Sequence, residues 1–168
     1  FSKNVFSTVK SRRTYFASKA ITLLIATVLF FCVAVVAALL GAAIVGLNLV
    51  ATPFGEVVLW AALALLTFWA LAMLVALFAW LTKTKTGALL IGIFVSIGLI
   101  GGIIATFASY VPGIEFLKDL MLYSSWSSLQ YGVGSLATVD IVRIACVSGG
   151  YLLVYSLLGM LVLRKKDI

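Results

Sequence analysis

The feature that most constrains this chain is an uncharged apolar run at residues 21–47, ITLLIATVLFFCVAVVAALLGAAIVGL. Three more apolar runs follow, near 60–81, 87–111 and 141–163. About 20 apolar residues in a helix cross the hydrocarbon core of a bilayer, and every backbone polar group there must be bonded within its own segment. We therefore predict an all-α, polytopic membrane protein with four transmembrane helices.

Composition agrees with this class. Hydrophobic residues make up 64% of the chain and charged residues 10%, whereas soluble domains average about 25% charged residues. The chain has no histidine, which excludes His-based catalytic triads and His-ligated zinc; we predict no metal site. Cys32 and Cys146 fall in different spans, so we predict no disulfide.

The basic residues lie almost entirely on one side of the predicted membrane. Ten of the twelve precede the first span, separate the second from the third, or follow the fourth: Lys3, Lys10, Arg12, Arg13, Lys19, Lys83, Lys85, Arg164, Lys165 and Lys166. Since cytoplasmic segments are enriched in Lys and Arg, we predict that both termini and the 82–86 loop are cytoplasmic. The net charge of +7 then reflects orientation, and we predict no nucleic-acid partner.

The outer connection, residues 112–140, is too patterned for a plain loop. Ile114, Leu117, Leu120 and Met121 recur at helical spacing, which predicts an amphipathic helix over 113–122 at the outer surface. The Ser-rich part from Tyr123 to Tyr131 would then re-enter or cap the bundle. The alternative is an ordinary interfacial loop.

Small residues recur every four positions in two spans. Ala38, Ala42 and Gly46 form one row, and Gly98 and Gly102 form another. Such rows let helix backbones approach closely, so we interpret them as helix-packing positions. A face that slides during transport is the alternative interpretation.

The predicted spans hold no Asp, Glu, Lys or Arg at mid-depth. Arg143 follows Asp140 by three residues near the outer end of the last span, a spacing that favours a local ion pair. Because ionisable groups within the membrane mark ion and proton pathways, this pattern argues against proton-coupled transport.

The segment before the first span has its own pattern. Phe1, Val5 and Val9 share one helical face, and Ser11 and Thr14 are candidate caps around a basic turn. Composition alone favours a helix lying on anionic lipid. The chain opens without Met, and we expect further residues upstream.

A family resemblance gives this segment a second interpretation. KNVFSTVKSRRTYFASKAITLL, residues 3–24, resembles the cytoplasmic segment before the third span of ABC-2 type exporter permeases, particularly the Gram-positive peptide-export and bacteriocin-immunity subgroup. The positions that carry the likeness are Lys3-Asn4, Ser7-Thr8, Ser11-Arg12, Tyr15-Phe16 and Lys19. The ending LRKKDI is also similar. The likeness covers spans three to six; the family's first two spans and the Gly that usually precedes this segment are not in the sequence.

The resemblance implies that residues 1–20 hold a coupling helix that leads into the first span, and that 21–168 form the transmembrane domain. In the family this helix docks on a separate ATPase subunit; the matching contact residues are Asn4, Ser7, Thr8, Lys10, Ser11, Arg12 and Arg13. The chain has no G-x-x-x-x-G-K-[ST] sequence, so ATP and Mg would be bound by the partner. We predict no cofactor in this chain.

The expected function is therefore that of a permease subunit of an ATP-binding-cassette exporter in the bacterial plasma membrane. It would work with a second permease subunit, identical or different, among membrane lipids, and would export a peptide, a lipid-like molecule or a drug. The alternative is a membrane scaffold or assembly subunit that transports nothing. An enzyme is not expected, because Glu115, Asp119 and Asp140 are scattered over the outer connection.

Overall fold

The computed structural model describes residues 12–46, 52–82, 84–96, 98–111, 113–114 and 116–165. Helix is the only regular secondary structure among these residues, as the all-α prediction requires. Three helices are long and apolar enough to cross a membrane: α1 (Arg12–Val45), α2 (Phe54–Thr82) and α7 (Thr138–Lys165). The shorter elements are α3 (Lys85–Ser96), α4 (Leu99–Tyr110), α5 (Phe116–Asp119), α6 (Leu122–Leu129) and a 3-10 helix (Val133–Ser135).

Helix α1 begins earlier than predicted. From Arg12 onward the chain is continuous helix, so the basic turn and the capping role of Thr14 were predicted wrongly, while residues 1–11 lie outside the described part. Polar side chains within α1 bond their own backbone: Thr22 donates to the Ser18 carbonyl at 2.8 Å and Thr27 to the Leu23 carbonyl at 2.8 Å. A hydroxyl bonded four residues back does not interrupt a helix.

Helix α2 also begins before its predicted start. Pro53 and Gly55 are residue types that commonly mark turns, yet Phe54 opens the helix and the Glu56 amide donates to the Pro53 carbonyl at 2.9 Å. Proline is favoured at helix starts because its missing N–H would have no intrahelical partner there. The Glu56 carboxylate in the first turn also complements the helix dipole.

The third predicted span, 87–111, is not one continuous helix. It is divided into α3 and α4 at Gly98, whose φ of 73° is left-handed. A Cβ on Gly98 would overlap the ring of Tyr123, and a Cβ on Gly101 would lie 2.9 Å from the Tyr123 Cβ. The break thus occurs where Gly98 and Gly101, which have no side chains, leave room for Tyr123. Each half has 12 residues, about 18 Å of helix, which is too short to cross a bilayer alone.

The connection before α7 differs from the helix predicted over 113–122. Within the described part of that range, α5 covers only four residues and α6 begins at the last position, Leu122. Leu120 is exposed, and the longer helix is α6. Leu122, Ser125 and Leu129 of α6 are buried. We call residues 116–135 the cap and the end of the bundle that carries it the cap end. The opposite end, with Arg12, Thr82 and Lys165, is the basic end.

Helix α2 is the centre of the bundle, with α1, α3, α6 and α7 packed around it. Towards the cap, Leu63 and Ala64 of α2 are buried with Ile144 of α7. Midway along α2, the buried hydroxyls of Thr67 and Ser148 are 2.9 Å apart. The Thr67 hydroxyl donates to the Leu63 carbonyl, so Ser148 is the donor to Thr67, and this bond fixes the register of α7 on α2.

Candidate functional site at the two ends of the bundle

The cap is attached to α2 by aromatic side chains. The indole Nε1 of Trp60 donates to the Leu129 carbonyl at 2.9 Å. One turn earlier on α6, the Trp126 ring lies 4.6 Å from the Phe68 ring, measured between centroids. The Leu129 carbonyl, in the last turn of α6, also accepts from the Gly132 amide at 3.1 Å, so the indole of Trp60 is its second donor.

One ion pair joins the cap to α7, and a second lies within α7. The guanidinium of Arg143 lies 3.0 Å from a carboxylate oxygen of Asp140 and 3.1 Å from one of Asp119. The pairing with Asp140 confirms the prediction made from their spacing. The pairing with Asp119 was not predicted, because it depends on how the connection folds back. It attaches α5 to the first turns of α7.

Beneath the cap lies a cavity of about 190 Å³, bounded by α2, the two halves of the broken span, α6 and α7. Tyr123 from the cap and Tyr151 and Tyr155 from α7 line it, together with Leu74 and Gly101. The rings of Tyr151 and Tyr155 are 5.4 Å apart between centroids and inclined by 31°, so they form one aromatic wall.

A second concavity adjoins this one on the surface of α7. It has a volume of about 360 Å³ and is lined by Cys146, Gly150, Val154 and Tyr151. Tyr151 therefore lines both the inner cavity and the outer groove. Cys146 is exposed and its thiol is free, as is that of Cys32 on α1.

At the basic end, three helices meet at one close contact. Phe16 of α1 is 4% exposed, and its ring lies 5.6 Å from the ring of Trp80 on α2. Both rings cover Gly159 of α7: a Cβ there would lie 2.6 Å from Trp80 Cζ3 and 2.8 Å from Phe16 Cε2. We call these three residues the basic-end joint.

Only two of the predicted ATPase-contact residues lie in the described part of the chain. Arg12 and Arg13 form the first turn of α1, which places them directly before the basic-end joint. The others lie outside the described residues: Asn4, Ser7, Thr8, Lys10 and Ser11. Their contact with a partner stays a prediction.

The predicted packing rows occupy different environments. Ala38 and Gly46 are exposed and Ala42 is partly exposed; Gly46 (φ 72°) follows the end of α1, with no atom near the position of a Cβ. Packing by this row stays a prediction for a neighbouring chain. Gly98 is buried at the break, whereas a Cβ on Gly102 would meet no atom within 4 Å.

Sequence reasoning missed the cavity and the basic-end joint, although one signal was present. Tyr151 and Tyr155 are four residues apart in the middle of an apolar run, with Gly159 four residues further on. Tyrosines normally concentrate at the membrane interfaces. Two tyrosines in the middle of a span on one helical face therefore indicate a polar environment or a cavity within the bundle.

Comparison with known proteins gives no match: no family model, curated protein or solved structure is significantly similar to this chain.

Proposed function

We propose that this chain is the membrane-spanning permease subunit of an ATP-binding-cassette exporter of the ABC-2 type. It would couple ATP hydrolysis by a separate subunit to the export of a peptide, a lipid-like molecule or a drug. The proposal rests on the resemblance of residues 3–24 and on the three long apolar helices. In this proposal α3 and α4 cross the membrane together as a fourth span, since 24 helical residues extend about 36 Å.

The proposed orientation places the basic end in the cytoplasm of a bacterial cell. Arg12, Arg13 and Lys19 lie at that end, as does Lys165, whereas Arg143 at the cap end is paired with two carboxylates. Cysteines introduced at Lys83 and Lys118 would then react with impermeant reagents from opposite sides of the membrane. Labelling of both from the outside would contradict this orientation.

The basic-end joint is the observation that supports coupling best. Helix α1 runs without interruption from Arg12 to Phe16, and Phe16 is packed with Trp80 against Gly159. A force applied to the basic segment would therefore reach α1, α2 and α7 within about one helical turn. A segment that serves only as a topology anchor does not need such a contact.

Helix α1 supports the proposed second permease subunit. Beyond Phe31 its apolar side chains are largely exposed, with Leu40 60% and Ile44 85% exposed. Lipid covers such a face by default, and a neighbouring subunit would use the small row at Ala38 and Ala42 for close approach. A scaffold subunit would use the same face, so the exposed helix does not distinguish the two functions.

The decisive experiment separates protein docking from attraction to lipid. Attraction to an anionic surface depends on summed charge, whereas an Arg side chain in a protein cleft is not replaced by Lys. Arg12→Lys and Ser7→Leu should therefore reduce both ATPase retention on the tagged permease and substrate-stimulated ATP hydrolysis. Lys19→Arg is the matched control, because Lys19 lies over the ring of its own neighbour Tyr15 at 5.6 Å.

If both variants retain the ATPase subunit and hydrolyse ATP at wild-type levels, this segment is only a topology anchor. Failure of any ATP-binding subunit to co-purify with the wild-type chain would favour the scaffold function.

A further inference from the structure

The cavity beneath the cap is larger than a packing defect. Its volume of about 190 Å³ exceeds that of an apolar cavity of about 150 Å³ that is known to hold benzene. Five elements bound it, namely α2, α3, α4, α6 and α7, together with the residue before α6. It is open to the surroundings and not an enclosed void, since Tyr123 and Ile104 of its lining are 43% and 40% exposed.

Two of the three tyrosines that line it, Tyr151 and Tyr155, lie well inside α7. Tyr151 and Tyr155 follow the start of α7 at Thr138 by about 20 Å and 26 Å of helix. A hydroxyl in an apolar environment is costly unless it is hydrogen-bonded. Within the described part of the chain neither phenol has a hydrogen-bond partner, so both hydroxyls are available to a molecule in the cavity.

The helix break borders the same space. Val95 before the break and Gly101 after it both line the cavity, and Tyr123 packs against Gly98 and Gly101. Irregular backbone at membrane depth is tolerated where it is buried in protein or lines a cavity. The broken span, the off-interface tyrosines and the unfilled volume thus coincide at one place.

The lining defines the chemistry of the occupant. It contains Leu71, Leu74, Ile104 and Met121 beside the three tyrosines, with no Asp, Glu, Lys or Arg. A charged ligand would lose its hydration without a counter-charge, which strongly disfavours it. An apolar ring or short chain fits the leucines and the stacked rings, and a hydroxyl group can bond a phenol.

We propose that this cavity is a binding site for a small uncharged phenol or alcohol with one ring or a short alkyl chain. The cavity is open, so a ligand can enter it from the lipid, and the groove at Cys146 and Gly150 lies beside it, with Tyr151 lining both spaces. The site lies within this chain alone. Binding is therefore independent of the proposed ATPase partner, and a failure of one proposal does not affect the other.

Photolabelling of the full-length protein in lipid nanodiscs tests the site directly. A diazirine-bearing phenol should label the peptides that contain Tyr123 and Tyr151 in a saturable manner, as read by mass spectrometry. Unlabelled para-propylphenol should displace it. Propylbenzene, which lacks the hydroxyl, should displace it about tenfold less effectively, the factor expected for one hydrogen bond. The anion para-propylbenzoate should not displace it.

Two pairs of variants sharpen the result. Tyr151→Phe should weaken displacement by para-propylphenol about tenfold, whereas Tyr110→Phe, at an exposed position on α4, should leave it unchanged. Leu74→Trp should fill the cavity and abolish labelling, whereas Leu153→Trp on the exposed face of α7 should not. Monodisperse elution from a sizing column shows that each variant is folded. If Leu74→Trp does not fold, Tyr151→Phe still tests the proposal.

Three outcomes would overturn the proposal. The first is labelling that does not saturate or that is equal in Leu74→Trp and Leu153→Trp, which would indicate simple partition into lipid. The second is equal displacement by propylbenzene and para-propylphenol. The third is saturable labelling of the same peptides by a lipid-tail probe that para-propylphenol cannot displace, since the cavity would then hold an acyl chain.

Discussion

The cap end and the basic end of this bundle are held by different kinds of contact. At the cap, Trp60 donates one hydrogen bond to Leu129, and Arg143 pairs with Asp119. At the basic end, Phe16 and Trp80 pack directly on Gly159. Polar contacts can exchange with water one at a time, whereas a steric contact between packed rings and backbone cannot be relaxed in steps.

This difference separates a detachable element of the cap, α5, from the rigid basic-end joint. A typical intramolecular hydrogen bond contributes about 1 kcal/mol net, and an exposed ion pair contributes less. Overpacking a close contact costs about 1–3 kcal/mol because neighbouring side chains must leave their rotamers. Helix α5 has no buried residue and can therefore detach while the bundle stays folded. Helix α6 is held by the burial of Leu122 and Leu129, and the basic-end joint moves α1, α2 and α7 as a unit.

The largest effect is expected at the joint. Gly159→Leu should lower the free energy of unfolding in mixed micelles by about 2 kcal/mol, because its Cβ would approach Trp80 and Phe16 closer than 3 Å. Gly149→Leu is the matched control in the same helix, since nothing lies within 4 Å of that Cβ position. It should be neutral or stabilising, as glycine is a poor helix former. Equal effects at both positions would mean that the joint is not tightly packed.

The contacts of the basic-end joint were harder to predict from the sequence than the positions of the spans. Apolar run length placed the long helices, and the spacing of Asp140 and Arg143 gave their ion pair, because both depend on neighbours in sequence. Phe16 and Gly159 are 143 positions apart, and no local pattern reports that they meet. The break at Gly98 was missed for the same reason, since it depends on Tyr123 packing there.

The cap also shows that local spacing alone does not predict which segment becomes a helix. Helical spacing of Leu117 and Leu120 predicted a helix over 113–122, but spacing does not say which apolar face finds a partner. The helix that forms is α6, where Leu122 and Leu129 are buried and Trp126 reaches Phe68. Burial against α2 decided the outcome over local periodicity, as tertiary packing commonly does for short helices.

A smaller effect is expected where the cap meets α2. Trp60→Phe keeps the ring but removes the donor to the Leu129 carbonyl, which should lower the free energy of unfolding by about 1 kcal/mol. Trp69→Phe is the matched control, because the buried Nε1 of Trp69 has no hydrogen-bond partner among the described residues. Removing an unsatisfied donor should leave stability unchanged or raise it. A loss in Trp69→Phe as large as that in Trp60→Phe would show that ring packing, not the hydrogen bond, holds the cap.

The smallest effect on global stability is expected at Arg143, where it should instead be local. Asp119 and Asp140 both pair with this guanidinium, but only Asp119 belongs to the cap. With the Asp119 side chain 56% exposed, its pair should contribute about 0.2–1 kcal/mol and weaken with salt. Asp119→Asn should thus leave the unfolding midpoint nearly unchanged.

The same substitution should nevertheless accelerate backbone hydrogen exchange in α5 several-fold, because a short helix held by few contacts opens at little energetic expense. Asp140→Asn is the matched control: it removes the same charge from the same Arg143, but its pair lies within α7 and does not tether α5. It should leave exchange in α5 close to the wild-type rate. High salt should reproduce the effect of Asp119→Asn in the wild-type chain and add little in the variant. If both substitutions accelerate exchange in α5 equally, net charge at the cap end governs the attachment of α5. The contrast between a detachable α5 and a rigid joint could then not be assigned to this ion pair.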